Sequence, residues 1–165
     1  MQTINSALQA ELDKGQVDPI VLVDLYEIYD YDYVPGPGGF DPNDAIEKFA
    51  AEEITWNGFA YRRELKGRGD ISRSMDAKTN SVTLSFSNIS RYLATFAQTT
   101  PIEGLFLVIR CVAPSVTTDS LVLFVGKCDK PSDIDKGSFT LSAHQDFGNI
   151  NNTVPPDKFQ ADDPD

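Results

Sequence analysis

Ser142, His144 and Asp146 are the three residue types of a hydrolytic triad, and they alternate along "FTLSAHQDFG". Nucleophile, base and orienting acid must converge within hydrogen-bond reach. Alternate residues of a strand stand side by side on one face with diverging tips, so this spacing predicts no triad. The two cysteines, Cys111 and Cys128, lie in separate apolar β-type runs, and the chain has one histidine. Neither cysteine belongs to a CxxC or Cys/His cluster, so no zinc or iron–sulfur site is expected, only two buried thiols. "DYDY" at 30–33 offers carboxylates between aromatics but lacks the glycine-bent loop of a calcium site. "RGD" at 68–70 is too short to carry meaning and reads as a charged loop. The Asn88-Ile89-Ser90 and Asn151-Asn152-Thr153 sequons matter only in an exported protein. GxSxG, P-loop, HExxH and dinucleotide-turn signatures are absent. The reading is a non-enzyme with no catalytic residues, no cofactor and no metal.

The elements that would position any site are mostly strands. "INSALQAELDKG" places Ile4, Leu8 and Leu12 four apart, which predicts a short helix over about 4–13. "DPIVLVDLYEIYDYDY" reads as a long strand, and "VPGPGGFDPND" breaks regular structure within an irregular excursion over about 34–50. Within that excursion Asp41 as N-cap and Pro42 at the first helical position predict a short helix over "AIEKFAA". "ITWNGFAYRREL" is a hairpin signal, an Asn-Gly pair between runs of aromatic and β-branched residues. In "SVTLSFSN", Val82, Leu84 and Phe86 alternate with hydroxyl residues, so one face is buried, and they are expected to meet Leu107, Ile109, Leu123 and Val125. "ISRYLATFAQ" places Ile89, Leu93 and Phe96 on one side of a further helix, and "GLFLVIRCVA", "DSLVLFVGKCD" and "GSFTLSAHQDFG" are three more strands. About seven strands with few helices predict a mainly β fold, a β-barrel or sandwich. Residues 1–150 form a single domain in this reading, and the proline-rich residues 151–165 an extended or disordered tail.

The charge is unevenly spread. Met1–Glu53 holds 12 acidic and 2 basic residues, a net −10; Ile54–Tyr92 holds 7 basic and 3 acidic, a net +4; Leu93 onward adds −5, for −11 in all. A total of that sign argues against nucleic acid as a specific partner. The basic segment between acidic ones suits head-to-tail association of identical subunits, or else is a set of unrelated solvated charges. No apolar run reaches membrane-span length, and "MQTINSALQAELDKG" lacks the basic and apolar regions of a secretory signal, so nothing indicates export.

In order, "INSALQAELDKG", "VLVDLYEI", "ITWNGFAYRRELKGRGDISRS", "NSVTLSFSNISRYLATFAQ", the pair "GLFLVIRCVA" and "LVLFVGKCD", and "FTLSAHQDFGNINNTVPPDKF" resemble the minor tail protein L family of lambda-like siphophages, the hub protein of the tail tip or baseplate. "ITWNG.AY" and "VTLSFSNI" are the most specific pieces, and the resemblance covers nearly the whole chain. It implies a β-barrel or split barrel related to phage tail-tube proteins, with short helices at the N-terminus and in connections, assembled as a ring of three copies. It implies a structural virion protein, made in the host cytoplasm and placed at the tail tip. There it would join the tail tube and distal tail protein to the tip or receptor-binding apparatus, with other hub proteins and the tape-measure protein as further neighbours. Family members continue beyond "VPP" into a cysteine-rich segment that looks built for an iron–sulfur cluster. Cys111 and Cys128 do not match those cysteines, so the cluster is not carried over. Either this relative lacks that module or the sequence is its hub domain alone.

On this reading Phe40, Arg62, Arg63, Lys66, Arg68 and Arg73 are the expected interface residues: Phe40 is a large apolar group in a loop that cannot pack as a strand, and the five cations follow a projecting hairpin. Two rivals stay open. One is a β-sandwich binding module that holds host glycan through Tyr29, Tyr31 and Tyr33. The weaker is a cell-wall hydrolase, for which the scattered carboxylates single out no pair.

Overall fold

A computed structural model of the chain describes residues 10, 13, 19–27, 41–68, 79–116 and 120–146. Nine strands and one helix are defined there: β1 Ile20–Tyr26, β2 Glu47–Ala50, β3 Ile54–Trp56, β4 Phe59–Arg63, β5 Leu65–Arg68, β6 Thr79–Ser87, α1 Tyr92–Thr99, β7 Phe106–Val112, β8 Leu121–Cys128 and β9 Ser138–Asp146. They make one mixed sheet in the order β3-β4-β2-β1-β7-β8-β9-β6-β5, with the β2–β4 pair parallel and the other ladders antiparallel. The sheet is not closed into a barrel, which corrects one form of the expected fold, and a single sheet replaces the two layers of a sandwich.

The chain nevertheless brings the two ends of the sheet together. β4 is next to one edge, β5 is the opposite edge, and Glu64 alone separates them. Its carbonyl accepts the Ser87 amide of β6 at 2.6 Å. Curling a sheet this far lets one face enclose a core: Phe49 of β2, Leu65 of β5, Phe86 of β6, Leu107 and Ile109 of β7, Phe124 of β8 and Phe139 of β9 belong to one buried cluster.

Local chemistry accounts for most of the elements. Asn57 and Gly58 both take positive φ (51° and 81°) between paired β3 and β4, the backbone that a two-residue hairpin turn demands. Val82, Leu84 and Phe86 are buried while Ser81, Thr83 and Ser85 are exposed, as alternation predicts. Leu107 and Ile109 join them; Leu123 packs at the margin, and Val125 turns to the other face beside Tyr26, Ala45 and Val108. That last departure has a cause. Ile109 pairs with Phe124 but Arg110 with Val122, so Leu123 is an extra residue and the face parity of β8 changes there.

Two helix expectations need correction. Asp41 does cap a turn, accepting the Asn43 amide at 2.8 Å with Pro42 first in it, but the turn is a single 3-10 turn, Pro42–Asp44. Glu47–Ala50 is then strand β2, inserted between β1 and β4, where Phe49 and Ala50 are fully buried on opposite faces. Burial on both faces of a sheet overrides the helical preference of Ala, Glu and Lys. Ile89 lies outside α1 and is 77% exposed, whereas Leu93 is buried and Phe96 packs on the core. The expected N-terminal helix falls outside the described residues apart from Ala10 and Asp13, which are helical. Residues 151–165 also lie outside them.

Gly126 of β8 holds the tightest backbone approach. A Cβ there would sit 2.6 Å from the His144 carbonyl oxygen and 2.7 Å from the Phe124 ring. A strand carbonyl cannot move aside without breaking its ladder, so Gly126→Ala is expected to lower stability by about 1–3 kcal/mol. Urea unfolding of the purified variant measures this; an unchanged midpoint would mean that β8 and β9 separate at no cost.

Candidate functional site

Of the six expected interface residues, Arg62, Arg63 and Lys66 fall on the seam where the sheet's ends meet. Arg62, on β4, lies with its guanidinium 4.1 Å from the centre of the Tyr92 ring and its Nε 3.8 Å from Glu47 Oε2. The Tyr92 hydroxyl donates to the same Glu47 carboxylate. Burial, then that carboxylate, raises the Tyr92 phenol pKa, so it remains a donor. Arg62 is therefore tied into its own chain, and charge reversal there would set two carboxylates against each other. Arg63, its neighbour on the strand, faces the other way and is exposed. Lys66 on β5 donates to the Gly137 carbonyl at 2.5 Å. Arg63, Glu64, Leu65 and Lys66 line an open depression with Ala51 and Ser87. Arg68 is described through its backbone in β5; Phe40 and Arg73 lie outside the described residues, as do Tyr29, Tyr31 and Tyr33.

Two further cations join this corner from distant sequence. Asn88, 2% exposed, donates to the Asp135 carbonyl at 2.5 Å and accepts the Ala94 amide of α1 at 3.3 Å, tying the start of α1 to the loop before β9. Exposed Arg91 and Lys136 are thereby brought to one groove, lined also by Ala94, Gln98 and Ile134. The corner also holds acids: exposed Asp133 and Asp135 flank Ile134, and Glu64 lies beside Lys66. Ser90 donates to Glu64 at 2.8 Å, and Asp135 accepts the Gly137 and Ser138 amides at 2.6 Å. Those amide bonds hold the Asp135 carboxyl below its ordinary pKa. Arg91 and Lys136 were not singled out in the sequence because only folding brings them to one groove. The buried Asn88 side chain is also no acceptor for a glycan.

Away from the seam, Ser142 and His144 do not pair with each other, and the Asp146 side chain lies outside the described residues. Ser142 Oγ lies 3.1 Å from Thr83 Oγ1, and His144 Nδ1 lies 2.8 Å from Asp129 Oδ1. Serine and histidine thus have different partners. Cys111 and Cys128 are both buried, and burial pushes the Cys128 thiol up to about 12. Among the described residues no group of three or more His, Cys, Asp or Glu could hold a metal, and no helix is long and apolar enough to cross a membrane.

The other face of the sheet carries a buried charge cluster that the sequence reading missed. Asp24 of β1 and Arg110 of β7 are 0% and 5% exposed, and Arg110 Nε donates to Asp24 Oδ2 at 2.7 Å. Arg110 Nη2 donates to the Tyr26 hydroxyl at 2.9 Å. Tyr61 approaches Asp24 closely enough to favour its ionised form, yet neither Tyr61 Oη nor Asp24 Oδ1 completes a hydrogen bond. Burial raises the Asp24 pKa despite Arg110, and burial followed by the Asp24 charge raises both phenols. A lone charge in each of two apolar strands, "VLVDLY" and "FLVIRCV", is the signal that could have found it.

No family model and no curated protein matches this sequence. Among solved structures, the chain is similar to a chain described as "Virion of native gene transfer agent (GTA) particle", with a TM-score of 0.62 at 14% identity, over 86% of this chain. It spans 44% of that chain's length. The likeness is one of fold.

Proposed function

We propose that this chain is a structural virion protein, a tail-tip or baseplate hub that assembles as a ring, most simply a homotrimer. The observation that carries this is the shared fold with a chain of a gene transfer agent virion over 86% of the sequence. The order of motifs that resembles the minor tail protein L family supports the same reading independently. On it, the curled sheet is a split barrel related to tail-tube proteins. The subunit sits between the tail tube and distal tail protein on one side and the tip or receptor-binding apparatus on the other. Its other neighbours are further hub proteins and the tape-measure protein. Its work is packing and orientation, with no catalytic step. Exposed cations at the seam support docking onto acidic surfaces. Surface ion pairs contribute only about 0–1 kcal/mol each, so they set orientation and encounter rate while apolar contacts hold the assembly.

The mass of the purified protein in solution, alone and with co-expressed tail proteins, tests the proposal. A defined ring, formed alone or on a partner, is the expected result. A monomer under both conditions that instead retains oligosaccharide would replace the hub with the glycan-binding reading.

A further inference from the structure

Asn57-Gly58 is the one Asn-Gly pair of the sequence, and it forms the turn between β3 and β4. Both residues are exposed, and a Cβ at Gly58 would meet nothing within 4 Å. No neighbour therefore shields this peptide bond, and glycine has no side chain to hinder its own amide nitrogen. Backbone conformation works the other way. With φ of 51° at Asn57 and 81° at Gly58, the pair takes the left-handed geometry of a type I′ turn, whose first residue has a ψ of about +30°. That ψ turns the Asn57 side chain away from the Gly58 nitrogen, whereas closing a ring between them requires the two to eclipse. The turn rests on a short hairpin. β3 is an edge strand, and it pairs Ile54 with Tyr61, Thr55 with Ala60 and Trp56 with Phe59. Trp56 anchors it, packed on Leu22, Ala50 and Val112 with its Nε1–H donated to the Val116 carbonyl at 2.9 Å.

We propose that Asn57 is a site of spontaneous deamidation, gated by opening of the β3–β4 hairpin. Once the turn opens, the Gly58 nitrogen attacks Asn57 Cγ. A C–N bond forms, the side-chain nitrogen leaves as ammonia with the proton that Gly58 gave up, and a cyclic imide remains. Water then opens the ring. Addition at Cγ gives aspartate; addition at the former backbone carbonyl gives isoaspartate, which carries the side-chain methylene into the main chain. Either product adds a negative charge close to Glu52 and Glu53. A two-residue turn has no room for an extra backbone atom, so the isoaspartate form loses the Trp56–Phe59 register. Trp56, the one tryptophan of the chain and 3% exposed, then leaves its buried site. Conversion marks the age of a subunit and releases one edge of its sheet.

Peptide mapping by mass spectrometry on the full chain, held at mildly alkaline pH over a time course, tests this, with Trp56 fluorescence read on the same samples. Asn57 should convert ahead of the other asparagines, mainly to isoaspartate, and more slowly in the folded chain than in the chain unfolded by urea. Trp56 emission should shift to the red in step with the isoaspartate fraction. Trp56→Phe removes the indole donor and should speed conversion by roughly 5-fold, the scale of one lost hydrogen bond. Urea below the unfolding transition should accelerate the wild type in the same way, and it gives the same comparison if the variant does not fold. Asn57→Gly keeps a residue suited to the turn and should hold its emission constant. An Asn57 still intact after other asparagines have converted would overturn the site. Equal rates in the folded and unfolded chain, or a rate unmoved by Trp56→Phe and by urea, would overturn the gating. Constant wild-type emission as isoaspartate accumulates would overturn the release of the edge.

Discussion

Asp24→Ala is expected to destabilise the protein by about 3–5 kcal/mol, because it leaves the buried Arg110 guanidinium without the carboxylate held at 2.7 Å. The size of the effect comes from asymmetry. Forming the pair repays little more than the desolvation of its members, whereas deleting one member strands a charge in a low-dielectric site. The double variant Asp24→Leu with Arg110→Met should therefore be close to neutral, or more stable by about 1–4 kcal/mol. Comparing single and double variants by urea unfolding separates a stranded charge from simple loss of packing. Equal losses in both would mean that the site is solvated. The same carboxyl sets a pH dependence. Its folded pKa is raised by burial, so the folded state binds the proton more tightly than the unfolded state. That contribution is complete below the unfolded value near 3.8 and is lost as pH rises through the folded pKa. Wild-type stability should carry this falling component above about pH 4, and the double variant should lack it.

What the sequence made legible was the local chemistry. The Asn-Gly hairpin, the alternation of β6 and the run of α1 all follow from period and turn residues within ten positions of one another. What it hid depends on contacts across the sheet. "AIEKFAA" has the composition of a helix and becomes β2 because β1 and β4 offer it two faces to fill. The hairpin arm "FAYRREL" reads as one strand, yet Glu64 ends β4 and begins the crossing to the opposite edge. The same limit applies to the site. Arg62, Arg63 and Lys66 were visible as a run, but Arg62 proves to be held by Glu47 and Tyr92. Arg91 and Lys136, 45 positions apart, meet only through Asn88.

Phe86→Ala, the other large expected effect, bears on how an unclosed sheet keeps its curl. Phe86 is 1% exposed and pairs in register with Leu65 of the edge strand β5. Its ring stands edge-on to Phe49 of β2 at 5.3 Å between centroids and to Phe139 of β9 at 6.5 Å. Phe49 belongs to the opposite end of the sheet, so this stack spans the seam that no ladder closes among the described residues. Truncation should cost about 3–5 kcal/mol, the transfer term plus the cavity left between two rings. Ser85→Ala, next door on the exposed face, should stay within about 0.5 kcal/mol and serves as the control. A loss below about 1 kcal/mol for Phe86→Ala would show that the ring is not enclosed. Hydrogen exchange gives a second, independent reading. If side-chain packing holds the seam, the amides of β5 and of the Glu64–Ser87 contact should lose protection in Phe86→Ala well before those of β1 and β7. Those two strands are joined by a seven-residue ladder at the centre of the sheet and do not depend on the seam.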